Sequence, residues 1–134
     1  MTHVAQMVET YPAEIGMDRA LLGRCIDAAV DCAQSCTACA DACLSENEVG
    51  DLRKCIRTCL DCADVCATTA RVLSRHTGYD ANLTRAVVTA CTTACATCVD
   101  ECRQHATRCD HCRICADVCG TCRQRCQEAL AAIG

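Results

Sequence analysis

The sequence predicts an all-α fold: an up-down-up-down antiparallel four-helix bundle with a short N-terminal extension. Three observations predict it. The 134-residue chain holds a single proline, Pro12, and only six glycines. Four segments repeat the spacing C-x3-C-x2-C-x3-C, whose steps are those of one face of an α-helix. The segments are joined by short loops, which make consecutive long helices antiparallel neighbours.

Residues 1–17 read as an N-terminal extension with room for a short helix before Pro12, and residues 18–134 as the bundle. Asp18 is placed to cap a first long helix that runs to about Leu44. Ser45 to Gly50 read as a loop, and Asp51 as the cap of a second helix ending near Ser74. Arg75 to Tyr79 form the next turn, and Asp80 or Asn82 starts a third helix reaching about His105. No glycine or proline marks the last boundary. A break is placed at Ala106–Asp110 because the final stripe is regular from Cys112 onward and Asp110 can cap it.

Sixteen of the nineteen cysteines belong to the four motifs: Cys32, Cys36, Cys39 and Cys43; Cys55, Cys59, Cys62 and Cys66; Cys91, Cys95, Cys98 and Cys102; Cys115, Cys119, Cys122 and Cys126. On each helix they form a stripe about 60° wide and roughly 16 Å long, where a bundle normally carries Leu and Ile. Antiparallel pairing of the motifs predicts four layers of thiols: Cys32/Cys66/Cys91/Cys126, Cys36/Cys62/Cys95/Cys122, Cys39/Cys59/Cys98/Cys119 and Cys43/Cys55/Cys102/Cys115. The two ends differ. Met17, Leu21, Leu22, Leu73, Val87, Val88, Leu130 and Ile133 gather at one end as an aliphatic plug, with Cys25 extending the stripe towards it. His105, Cys109, His111 and Cys112 gather at the other, which reads as the mouth, with His105 expected to face Cys112. Cys109 falls off the stripe and is expected to be the most exposed thiol. His3 and His76 read as surface residues.

Composition narrows the function. The 51% hydrophobic content includes the cysteines, and there is no Phe or Trp. Without cysteine the apolar share falls to roughly a third, thin for a packed core, so an occupant that crosslinks the thiols is expected. Net charge is −4 with mixed signs, which excludes a basic nucleic-acid surface. The first residues lack the pattern of a secretory signal and no apolar run spans a bilayer. The expected compartment is the cytoplasm, where cysteines stay reduced.

Buried thiolates need compensating cations. Soft sulfur ligands select Cu(I), Zn(II) or iron–sulfur clusters. One Cu(I) per thiolate leaves a nearly neutral interior, whereas each isolated Zn(II) with four thiolates carries −2. Stacked layers about 5–6 Å apart would crowd iron–sulfur clusters. Thiols at i and i+3 or i+4 can grip one metal from a single helix. Multiple Cu(I) ions, roughly one per cysteine, are therefore the expected cargo. A zinc or cadmium thiolate buffer and a redox-regulated helical protein are the alternatives. Disulfides are disfavoured by the odd count and by helix separations of about 8–10 Å. No acid–base pair or activated nucleophile points to an enzyme.

The four motifs, with histidine near the third loop, resemble the bacterial copper storage proteins, in particular their cytosolic branch. The resemblance spans about residues 18–133. It implies high-capacity storage of Cu(I) in a homotetramer of four-helix bundles, with exchange through a copper chaperone or efflux partner. The ligand role carries over to the sixteen motif cysteines and extends to Cys25, Cys109, Cys112, His105 and His111.

Overall fold

A computed structural model describes residues 2–133; Met1 and Gly134 lie outside them. Five α-helices follow in order: α1 (Val4–Glu9), α2 (Arg19–Leu44), α3 (Arg53–Leu73), α4 (Ala81–Arg103) and α5 (Asp110–Ala132). A 3-10 turn, Val49–Leu52, precedes α3. The four long helices pack as a ring, each against its two neighbours, and α1 lies on the outside of α2.

Side chains cap two of the long helices at their starts. Asp18 accepts a hydrogen bond from the Leu21 amide, and Asp80 accepts from the amides of Asn82 and Leu83. Gly78 takes φ +64° in the turn before α4, a backbone region that L side chains rarely adopt. Two expected caps differ. Asp51 lies inside the 3-10 turn, and the buried Leu52 is the N-cap of α3. Cys109, in extended conformation, caps α5 without a side-chain bond, while Asp110 occupies the first turn and favours the helix dipole.

The closed end follows expectation in part: Leu22, Leu73 and Val88 are buried, Met17, Leu21 and Leu130 pack partly against the core, and Val87 and Ile133 are only half-buried. The extension is tied to this end. Val8 of α1 is buried, and the Arg19 guanidinium donates to the carbonyls of Val8, Glu9, Tyr11 and Ala13 at 2.7–3.1 Å. Those carbonyls lie at and beyond the C-terminus of α1, where a short helix leaves acceptors unsatisfied. The Tyr11 ring meets His76 edge-on, with centroids 4.9 Å apart. Burial, with the Arg19 charge beside it, lowers the His76 pKa from its ordinary value, so His76 is part of this junction rather than a free surface residue.

Between the ends the core is sulfur and small aliphatic side chains. Ala29, Ala40, Ala63, Ala116 and Ala129 are buried beside the thiols. Their size lets the helices approach closely while the cysteines fill the axis.

Candidate metal centre

All nineteen cysteines are free and buried. Seventeen of the nineteen are at most 1% exposed; only Cys39 and Cys109, at 2% and 6%, exceed that. The sulfur contacts run from 3.4 Å (Cys32–Cys119 and Cys36–Cys119) to 4.0 Å (Cys32–Cys62). A disulfide has its sulfurs at about 2.05 Å, so these are contacts between separate thiols. A metal–thiolate bond is about 2.3 Å, and two sulfurs spaced like these can reach one ion without large movement.

The thiols form overlapping tetrads whose sulfurs all lie within 4.8 Å of one another. They include Cys32/Cys66/Cys95/Cys122, Cys32/Cys36/Cys62/Cys119, Cys36/Cys98/Cys115/Cys119 and Cys39/Cys59/Cys102/Cys115. Cys32, Cys36, Cys39, Cys115 and Cys119 each serve at least two groups, counting the mouth group below. Sharing of this kind makes a continuous lattice of bridging positions rather than separate sites.

The layers correct the sequence expectation. Pairing between α3 and α4 is as expected, with Cys66–Cys91 at 3.7 Å, Cys62–Cys95 and Cys59–Cys98 at 3.9 Å, and Cys55–Cys102 at 3.9 Å. Between α2 and α5 the register is different: Cys119 meets Cys32 and Cys36 rather than Cys39, and Cys115 meets Cys36 at 3.7 Å. The 4-3-4 spacing is symmetric and permits either register. The displaced register gives two of the three surplus thiols partners, because Cys25 reaches Cys126 and Cys112 reaches Cys39 and Cys43.

The mouth also departs from expectation. Cys109 is buried; its backbone amide donates to the His105 carbonyl at 2.9 Å, which folds the turn inward. His105 is engaged at both ring nitrogens: its Nε2–H donates to Glu101 at 3.1 Å and its Nδ1 accepts from Arg108 at 3.3 Å. Glu101 is itself buried and lies 3.7 Å from the Lys54 ammonium. Arg108 continues to Glu48 at 3.1 Å, so this chain ties the loop after α2 to the turn before α5. His111 is the histidine that meets the thiols. Its Nδ1 lies 3.4 Å from Cys39, 3.6 Å from Cys112 and 4.0 Å from Cys43, and the four side chains form one group. Spacing alone did not separate the two histidines; the buried acid at Glu101, one turn before His105, was the available signal.

Burial sets the proton chemistry. It pushes the Cys43 thiol up to about 11. It raises Cys112 as well, with the charges of Cys39, Cys55 and Cys43 opposing a further thiolate. Deeper in, neighbours move in opposite directions because one proton is held between two sulfurs. The contact with Cys119 is the largest cause lowering Cys62, while Cys119 is raised, chiefly by Cys115. A lone thiolate here survives on S–H donors from its neighbours, and adjacent thiolates repel, so the empty lattice stays largely protonated. A cation entering it must displace protons.

A thiol-lined helical bundle whose interior can hold several soft cations by shared sulfurs is a metal-sequestering protein. Residues 18–131 match the sequence profile of the copper storage protein family, and the chain belongs to that family. It is similar to Ccsp, the copper storage protein of Streptomyces lividans, in a structure loaded with 10 copper equivalents: 62% identity, 96% of this chain and 98% of that one covered, TM-score 0.94. A second structure of the Streptomyces lividans protein, a cytosolic copper storage protein carrying five coppers, matches at 63% identity and TM-score 0.85, covering 86% of this chain and 96% of that one. The uncharacterized cysteine-rich protein YhjQ of Bacillus subtilis (strain 168) is 34% identical over 107 residues, 80% of this chain and 94% of that protein. Among the described residues no helix is long and apolar enough to cross a membrane.

Proposed function

We propose that this chain stores copper as Cu(I), with roughly one ion per cysteine, and that it acts in the cytosol without catalysing a reaction. The observation that carries the reading is the sharing of sulfurs between neighbouring tetrads. Cu(I) accepts two or three sulfurs and tolerates bridging thiolates, so shared ligands suit it; isolated tetrahedral zinc sites want four thiolates each. One monovalent ion per thiolate also leaves the interior neutral, whereas four-thiolate zinc sites accumulate negative charge in a place that water does not reach. The ligands proposed are the sixteen cysteines of the four motifs, joined by Cys25 at the closed end and by Cys112 and His111 at the mouth. Cys109 adds a buried thiol close to the mouth, and His105 acts through Glu101 and Arg108 to shape that end. Residues 18–134 are the storage domain and 1–17 an appended strap.

A homotetramer and exchange with a copper chaperone or efflux system are proposed on the family resemblance. The exposed Leu60, Leu83 and Ile114 supply apolar surface that an assembly could cover.

Anaerobic titration of the reduced protein with Cu(I) and with Zn(II), each against a competing chelator, tests the reading. Copper should bind in a number close to the thiol count, and zinc far more weakly or sparsely. Zinc or cadmium binding of comparable strength would favour the thiolate buffer, and defined disulfides in protein isolated without reductant would favour the redox-regulated alternative.

A further inference from the structure

We infer that Glu46 is a positioning residue for the outermost metal group, holding His111 in the tautomer that presents a nitrogen lone pair to Cys39, Cys43 and Cys112. Glu46 lies just beyond the end of α2, and its backbone amide donates to the Cys43 carbonyl at 3.2 Å. That bond fixes it one turn past a mouth thiol, from where its side chain crosses to α5. There Oε1 lies 3.1 Å from His111 Nε2. A carboxylate can only accept, so the imidazole proton sits on Nε2. In the neutral ring Nδ1 then carries the lone pair, and it is Nδ1 that lies 3.4–4.0 Å from the three sulfurs. A carboxylate behind a metal-binding histidine fixes the ring and raises its basicity.

His105 shows what the arrangement excludes. There Arg108, which can only donate, occupies Nδ1, and Glu101 takes the Nε2–H. Both ring nitrogens of His105 are engaged, whereas His111 keeps one for a ligand. The mouth group thus offers one nitrogen and up to three sulfurs, distinct from the all-sulfur tetrads behind it.

The inference rests on the copper reading, but its first test needs no copper. In the apo protein, long-range proton–nitrogen correlation spectra of His111 should show Nε2–H as the dominant tautomer. Glu46→Ala should shift the population towards Nδ1–H, and Glu46→Gln, which keeps an acceptor, should largely preserve it. Initial uptake of Cu(I) from a chelator should slow about tenfold in Glu46→Ala, the lower range for loss of such a supporting group. His111→Ala should slow uptake similarly, and the double variant no further. An unchanged tautomer ratio in Glu46→Ala, or uptake defects that multiply in the double variant, would overturn the assignment. Failure of the wild type to bind copper at all would defeat the storage reading instead, leaving the tautomer result to stand or fall separately.

Discussion

The two ends of the bundle terminate the same sulfur stripe with opposite chemistry. At the closed end the last thiols, Cys25 and Cys126, give way to Leu22, Leu73 and Val88, and a strap tied down by Arg19 lies across α2. At the mouth the stripe passes from Cys43 and Cys112 into His111, Glu46 and the chain from Lys54 to Glu48. Hydrocarbon excludes water and offers an ion nothing to bind. Acids and imidazoles can lead a cation in and accept the protons that it displaces. The difference teaches that one end of the stripe is sealed by hydrocarbon while the other carries the polar and ionisable groups that the proposed function needs for exchange.

The largest effect should come from damage to the closed end. Leu22→Ala is expected to cost about 2–5 kcal/mol of apo stability, through lost transfer energy and the cavity left behind. Urea unfolding measures it, and copper capacity of the folded variant should not change. A loss of capacity with little loss of stability would break the division between the ends. At the mouth, His105→Ala should cost less, about 1–3 kcal/mol, because it leaves the buried Glu101 carboxylate with only Lys54. Unfolding of that variant should come with no loss of copper capacity.

Copper exchange should follow pH at the mouth. Cys43 is held up at about 11, so at neutral pH its thiol is protonated and a bound ion replaces that proton. Affinity there should weaken as pH falls, by about tenfold per pH unit for each proton released. Competition titrations at two pH values, with proton release measured alongside, check the sign. The smallest effect is expected away from both ends. Arg125→Ala removes a partly exposed pair with Glu128, 3.1 Å apart, and should change stability by less than about 1 kcal/mol.

Much of this was legible in the residues. Cysteine at helical spacing on four segments, with Asp18 and Asp80 as caps, specified the helices and the inward face, because a period of 3.6 is written directly in the sequence. The aliphatic and polar ends followed from which residues lay one or two turns beyond each motif. The register between α2 and α5 was not legible from the motifs, since a symmetric spacing matches itself at more than one offset. Cys25 and Cys112 held the clue, as each lacks a partner in equal layers and gains one in the displaced register. The fates of Cys109, His105 and His111 depend on how a turn of a few residues folds and on acids distant in the chain. Glu46 and Glu101 decide between the two histidines through contacts that periodicity does not encode.

The most direct test is an anomalous difference map at the copper absorption edge from crystals of the anaerobically loaded protein. Copper peaks should run along the bundle axis between Cys25 and Cys112, bridged by shared sulfurs, with the outermost peak beside His111. Peaks confined to the outer surface, or cysteine pairs joined as disulfides around an empty axis, would contradict it.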